Sequence, residues 1–169
     1  MDLETAIRTR RTHKAYRPEP LDRATVAELL ELARWAPNHH LTNPWRFRVI
    51  GPAALGRLKA AAGPEAAPKL ERAPTLVACT AIRDDDRLRF EEDLHASACA
   101  AYIVMLAAHA RGLGAYWRTP EVLRTAEGLA ALGIGDDEHF VGLLYLGHPV
   151  QEQRPPERAP LEHYAEWLD

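Results

Sequence analysis

The chain has little of what marks a secreted, membrane-spanning or nucleic-acid-binding protein. Two of its 169 residues are cysteine, Cys79 and Cys99, and they form no Cys-x-x-Cys pair. Neither a disulfide framework nor a thiolate metal site is therefore expected. Both lie in apolar segments, and the expectation is two buried free thiols in a reducing compartment. The longest apolar run, Ala98 to Ala108, is well short of the roughly 20 residues that cross a bilayer. Met1–Ile7 shows no basic stretch leading into an apolar core, so a cytoplasmic protein without membrane contact is expected. Basic excess is also missing. The 21 Lys and Arg against 24 Asp and Glu leave a net charge of −3, whereas nucleic-acid binding leaves a basic footprint.

Several catalytic signatures are absent as well. There is no Walker loop, no Gly-x-Ser-x-Gly and no His-Glu-x-x-His. Gly112-x-Gly114 lacks a third glycine and follows a helical pattern instead of a strand, which excludes a dinucleotide fingerprint. The eight histidines show no metal-ligand spacing, so no metal is expected. The acidic run Asp84-Asp85-Asp86 is most simply a solvated loop.

What is present is an ordinary globular composition, 47% apolar and 27% charged. At this length one domain buries roughly 70% of its unfolded surface. Leu3 and Ile7 predict a short helix over residues 2–10. Asp22 is a suitable N-cap for a helix bearing Val26, Leu29, Leu30 and Ala33, which Pro37 stops. Trp45–Ile50 alternates as a half-wet strand. Residues 51–70 should be helical in pieces, and Thr75–Ile82 is a continuous apolar run that suits a buried strand. A long helix follows over Leu88–Arg111. Its middle is apolar nearly all round, so it must be covered by a core or by another subunit. Ala115–Arg118 predicts a strand, Glu121–Leu132 a helix, Phe140–Leu146 a second buried strand and Gln151–Pro160 an extended tail. No internal repeat or second domain is visible. Alternating helices and strands indicate α+β or α/β layering around one sheet.

Two segments carry chemistry. Arg10-Arg11-Thr12-His13-Lys14 places cations and a hydroxyl beside a helix end, the donor set that grips a phosphate. A solvated helix face is the alternative use of such a cluster. Ala36-Pro37-Asn38-His39-His40-Leu41-Thr42-Asn43-Pro44-Trp45-Arg46-Phe47 breaks a helix and sets imidazoles and amides on a loop, which suits the edge of a flat heteroaromatic ligand. His39 and His40 could equally be ordinary surface histidines.

These segments, with Gly112–Thr119, the strand Val141–Pro149 and Pro156-Glu157-Arg158-Ala159-Pro160-Leu161, resemble the nitroreductase family, particularly its short members. Nearly the whole chain takes part in the resemblance. It implies an α+β three-layer sandwich with a central mixed sheet flanked by helices, dimeric, in a single FMN-binding domain over 1–169. Residues 150–169 would form an extended arm packing on the partner subunit. It also implies an FMN-dependent reductase that takes a hydride from NADH or NADPH and passes electrons to a small organic acceptor such as a nitroaromatic or quinone, by ping-pong exchange. The flavin would lie at the interface of a homodimer and carry the chemistry, with no catalytic side chain.

By the same resemblance Arg10, Arg11, Thr12 and Lys14 bind the phosphate and flavin, Lys14 nearer the pyrimidine end. Thr12 stands where the family usually has serine. His39 would reach the partner's flavin, and Asn43 stands where many members have glutamine. Trp117, Arg118 and Thr119 would lie beside the flavin's hydride-accepting atom, and Arg158 would reach the phosphate. For Trp117 and Arg118 the plain alternative is core packing and a surface charge; for Arg158 it is a solvated tail. A flavin-binding protein without turnover, and a related flavin enzyme that reduces activated alkenes or fragments the flavin itself, are the alternative functions.

Overall fold

The computed structural model describes every residue except Pro156 and Asp169. Asp2 and Asp22 open the first two helices, α1 (Leu3–Thr9) and α2 (Arg23–Ala33), each accepting the backbone N–H three residues on. That bond satisfies one of the donors every helix start leaves unpaired. Asp86 does the same for α4 (Arg87–Ala110), accepting from the N–H groups of Leu88 and Arg89. Between α2 and α4 the chain forms β1 (Trp45–Val49), α3 (Pro52–Ala66) and β2 (Thr75–Ile82). α3 is broken at Gly63, whose φ of 74° is left-handed, directly before Pro64. β3 (Gly114–Arg118), α5 (Ala126–Ala131) and β4 (Glu138–Gly147) complete the body.

The four strands form one sheet in the order β1-β2-β4-β3. Period-2 alternation along β2 and β4 divides their side chains between two cores. Val77, Cys79, Leu144 and Leu146 face α2 and α4, where they pack on Leu29, Ala100 and Val104. Leu76, Ala78, Leu143 and Tyr145 face the other way, onto Leu58, Leu70 and Leu123. The result is three layers, α2 and α4 on one face and α3 and α5 on the other. The mixed sheet expected above is corrected: all three strand pairings are antiparallel. The parallel component is confined to one isolated bridge, Thr12 with Ala115.

Three further expectations change. The helix predicted over Glu121–Leu132 is a 3-10 turn, Glu121–Arg124, and then α5, separated by an extended Thr125. The Thr125 hydroxyl caps the second piece by accepting from Gly128 N–H at 3.1 Å, a local bond that competes with continuing the helix. The apolar middle of α4 is covered on one side only. Ala100, Ala101, Val104 and Met105 are buried, while Tyr102 is exposed. Cys99 is exposed too, so it is not a second buried thiol. Burial at Cys79 pushes its thiol up to about 12.

Gly142 sets how β3 and β4 meet. A Cβ there would lie 2.0 Å from the indole nitrogen of Trp117, which donates to Val141 O at 3.3 Å. Gly142→Ala should displace the indole and destabilise the fold by about 1–3 kcal/mol, read as a lower urea midpoint. An unchanged midpoint would contradict this close contact.

Candidate functional site

The segment after α1 is held against the edge of the sheet. His13 N–H donates to Ala115 O at 3.1 Å and Arg17 N–H to His148 O at 2.8 Å. The Tyr16 hydroxyl donates to His13 O at 2.7 Å. Gly114 makes the approach close: an added Cβ would stand 3.0 Å from both His13 Cβ and Tyr16 Cε1. A short, rigid strip of chain therefore presents alternate residues at the end of β3.

Five of the expected site residues converge here. Arg10, Arg11, Thr12, Lys14 and Arg158 line one cavity of about 470 Å³, joined by Gln153 and Arg154 from the C-terminal segment. None of these described lining residues is acidic. Arg10 places its guanidinium 5.9 Å from the centre of the Tyr102 ring. Its Nη1 is buried and has no hydrogen-bond partner among the described residues. Such a donor costs free energy until something accepts from it. Arg11 behaves differently. Its guanidinium donates to the carbonyls of Arg8 at 3.0 Å, Arg154 at 3.1 Å and Arg10. Desolvation, then the neighbouring charges of Arg158 and Arg10, lower its pKa. Cations crowded without carboxylates, one carrying an unpaired buried N–H, are suited to bind an oxyanion with more than one negative charge. Pro156, part of the C-terminal motif, lies outside the described residues.

The other expected residues lie elsewhere in the chain. His39 Nδ1 lies 2.8 Å from Glu92 on α4, and its ring stacks on His40 at 4.0 Å. The Thr42 hydroxyl donates to the buried Asp93 at 2.5 Å. Asn43 is engaged locally: its amide donates to Leu41 O at 2.7 Å, and its N–H goes to Asn38 Oδ1 at 2.9 Å. His40, Leu41 and Asn43 all have left-handed φ, 50°, 53° and 47°. Three such non-glycine residues in four positions concentrate backbone strain. This loop is tethered to Glu92 and Asp93, whereas Arg10 packs over Tyr102, some ten residues and roughly 15 Å further along α4.

Trp117 and Arg118 point to opposite faces of β3, as strand geometry requires. Trp117 joins the core beside α4. Arg118 donates to Lys69 O at 3.1 Å and to the Tyr145 hydroxyl at 3.2 Å on the other side. Thr119 is exposed and accepts from Arg124 at 3.4 Å. The side chains of Arg118 and Thr119 are therefore not brought to the arginine cavity. Sequence reasoning missed Arg154 and Gln153, whose only signal was their place in the same proline-rich tail as Arg158.

A second cavity, about 540 Å³, adjoins the first through Arg11 and Gln153 and includes His13, His109 and Thr9. Among the described residues there is no helix long and apolar enough to cross a membrane and no cluster of three metal-ligating side chains.

The nitroreductase family model matches residues 7–148. The chain belongs to the nitroreductase family. The match includes the Arg10–Lys14 strip and both buried strands, and it stops before Arg154 and Arg158. YfhC of Bacillus subtilis, which carries a provisional NAD(P)H nitroreductase name, is 27% identical over 94% of this chain and 90% of its own length. A 5,6-dimethylbenzimidazole synthase of Rhodospirillum rubrum is 34% identical over 92% of this chain and 85% of its own. Among solved structures, a nitroreductase-like family protein of Bacillus cereus superposes with a TM-score of 0.90 at 21% identity, over 100% of this chain and 97% of its own, and shares the fold. An FMN complex of a Desulfovibrio desulfuricans protein, provisionally called a nitroreductase, superposes at 0.82 with 27% identity, over 100% of this chain and 98% of its own.

Burial, then the nearby Arg10 charge, lowers the pKa of His13. Burial, then His13, Arg10 and Arg11, lowers that of His109. The unfolded chain therefore takes up protons near pH 6.5 that the folded chain resists, so stability is full above that pH and falls as pH drops below it. Urea midpoints between pH 8 and pH 5 should decline on the acid side. His13→Asn should flatten part of that slope, and an unaltered slope would remove His13 from this role.

Proposed function

We propose that this chain is an FMN-dependent reductase that accepts a hydride from NADH or NADPH and delivers two electrons to an organic acceptor such as a nitroaromatic or quinone. The observation that carries this reading is the unpaired, buried Nη1 of Arg10 within a cavity of cations, in a chain whose 27%-identical solved relative holds FMN. The residues fit the group. Arg10 and Arg158 supply charge-assisted donors for a phosphate that carries nearly two negative charges. The Thr12 hydroxyl adds a short neutral donor.

When bound, FMN supplies the hydride chemistry. The chain binds, orients and tunes. Lys14 places positive charge on the strip leading away from the phosphate end, where charge developing on reduction is stabilised. Trp117, locked over Gly142, keeps the end of β3 rigid beside that strip. One binding face serves reductant and acceptor in turn, so the exchange is ping-pong.

The working unit is a homodimer with the cofactor at the subunit interface. Leu3, Ile7 and Tyr102 are exposed apolar positions on α1 and α4, and Leu161, Tyr164, Trp167 and Leu168 are exposed on the tail. A second copy would cover such surface, with the arm from residue 150 reaching it. In one chain the His39–Asn43 loop stands apart from the arginine cavity; the partner's loop would complete the site.

A second reading draws on the 34% identity to the synthase: the same site would end in a different product, and product analysis in air separates the two.

The test is an anaerobic absorbance titration of the purified protein supplied with FMN. Bands near ~450 nm should bleach on adding NADPH or NADH and return with a quinone. A protein that stays colourless with FMN supplied would overturn the reading.

A further inference from the structure

The cations of this cavity do two different jobs. Arg10 leaves a buried nitrogen unpaired. Arg11, one residue on, has all three guanidinium nitrogens engaged by backbone carbonyls: Nη1 and Nη2 by Arg10 and Arg8 at the end of α1, and Nε by Arg154. Among the described residues, the bond from Nε to Arg154 O is the only hydrogen bond tying residues 151–160 to the body of the chain. Through it the arm brings Gln153, Arg154 and Arg158 to the cavity wall.

We infer that Arg11 is a positioning residue that latches the C-terminal arm to the end of α1, and that Arg154 is a further anion ligand carried in by that arm. A phosphate monoester would pair with Arg10 on the body and with Arg154 and Arg158 on the arm, locking the latch. The inference rests on reading this cavity as the phosphate end of the cofactor site.

The electrostatics set the direction. Docking the arm brings Arg154 and Arg158 towards Arg10, Arg11 and Lys14; the arm's own Glu152 lines the adjoining cavity, and no carboxylate is among the described residues lining this one. One exposed hydrogen bond opposes that repulsion. An anion between the two groups turns repulsion into attraction, so arm docking and anion binding become one linked equilibrium, each favouring the other. A ligand without the phosphate gains nothing from the arm. Lysine at position 11 would keep the charge but lose the planar fork that spans three carbonyls. Arg11→Lys therefore separates a latch from a simple positive charge.

The experiment is limited trypsin digestion, reading by mass the release of residues 159–169 after cleavage at Arg158–Ala159. It compares no ligand, FMN, riboflavin and inorganic phosphate. In the wild-type protein FMN should slow release by about tenfold. Inorganic phosphate should slow it at higher concentration, and riboflavin should not. Arg11→Lys should lose the protection and bind FMN about tenfold more weakly, with riboflavin affinity unchanged, which also shows the variant folded. Arg154→Gln should lose part of both effects. FMN that binds without protecting, riboflavin that protects equally, or Arg11→Lys that behaves as wild type would each overturn the inference. If the wild-type protein binds no FMN, the cofactor reading fails, and the phosphate arm of the experiment still decides the latch.

Discussion

The crowding of like charge at the end of α1 is the constraint that the rest of this structure serves. Arg10, Arg11, Lys14, Arg154 and Arg158 border one cavity without a carboxylate among the described lining residues, and a buried Arg10 nitrogen finds no acceptor. An isolated cluster of this kind would spread apart in water. Its Arg10–Lys14 part persists because the backbone there is fixed independently of those side chains. His13 N–H is tied to β3, Tyr16 spans back to His13 O, and Gly114 removes the side chain that would hold the strip off. Beneath lies β4, where Leu143 to Leu146 have no measurable exposure. Core burial provides the rigidity, and that rigidity holds Arg10, Arg11 and Lys14 together before a ligand arrives, so less ordering remains there to oppose binding, while Arg154 and Arg158 ride on the arm that Arg11 tethers.

The loop from Asn38 to Asn43 is a second place where the fold sustains an unfavourable arrangement. Three left-handed non-glycine residues persist there because Glu92 and Asp93 hold His39 and Thr42 from α4 and Asn38 accepts from Asn43. Strain that is over-determined by tethers is typical of segments that meet a ligand. One helix therefore organises both regions: its early turns hold the loop, and its later turns carry the Tyr102 ring under Arg10.

Much of this was legible in the sequence, for identifiable reasons. Thr75–Ile82 is the β2 strand residue for residue, because a continuous apolar run bounded by Pro74 and an acidic cluster admits little else. Asp22 and Pro37 bracket α2 because capping and proline chemistry are local. The Arg10–Lys14 cluster was visible because cations adjacent in sequence stay adjacent in space. What was not legible depends on long-range partners. Nothing local shows that Arg11 turns to the carbonyl of a residue 143 positions on, or that Arg118 faces Tyr145 and not the cavity. Cys99 looked buried because its neighbours are apolar, yet among the described residues it lies, like Tyr102, on an exposed side of α4. Thr125 split a predicted helix because a side-chain cap outcompeted one more turn.

In the proposed function the arginine cavity holds the phosphate of a flavin mononucleotide. The most direct measurement is calorimetric affinity for FMN and for riboflavin in the wild-type protein and in Arg10→Ala. The wild type should prefer FMN, and Arg10→Ala should weaken FMN between about tenfold and about a hundredfold, leaving riboflavin unchanged. Equal affinity of the wild type for both ligands, or an equal loss of both in the variant, would contradict it.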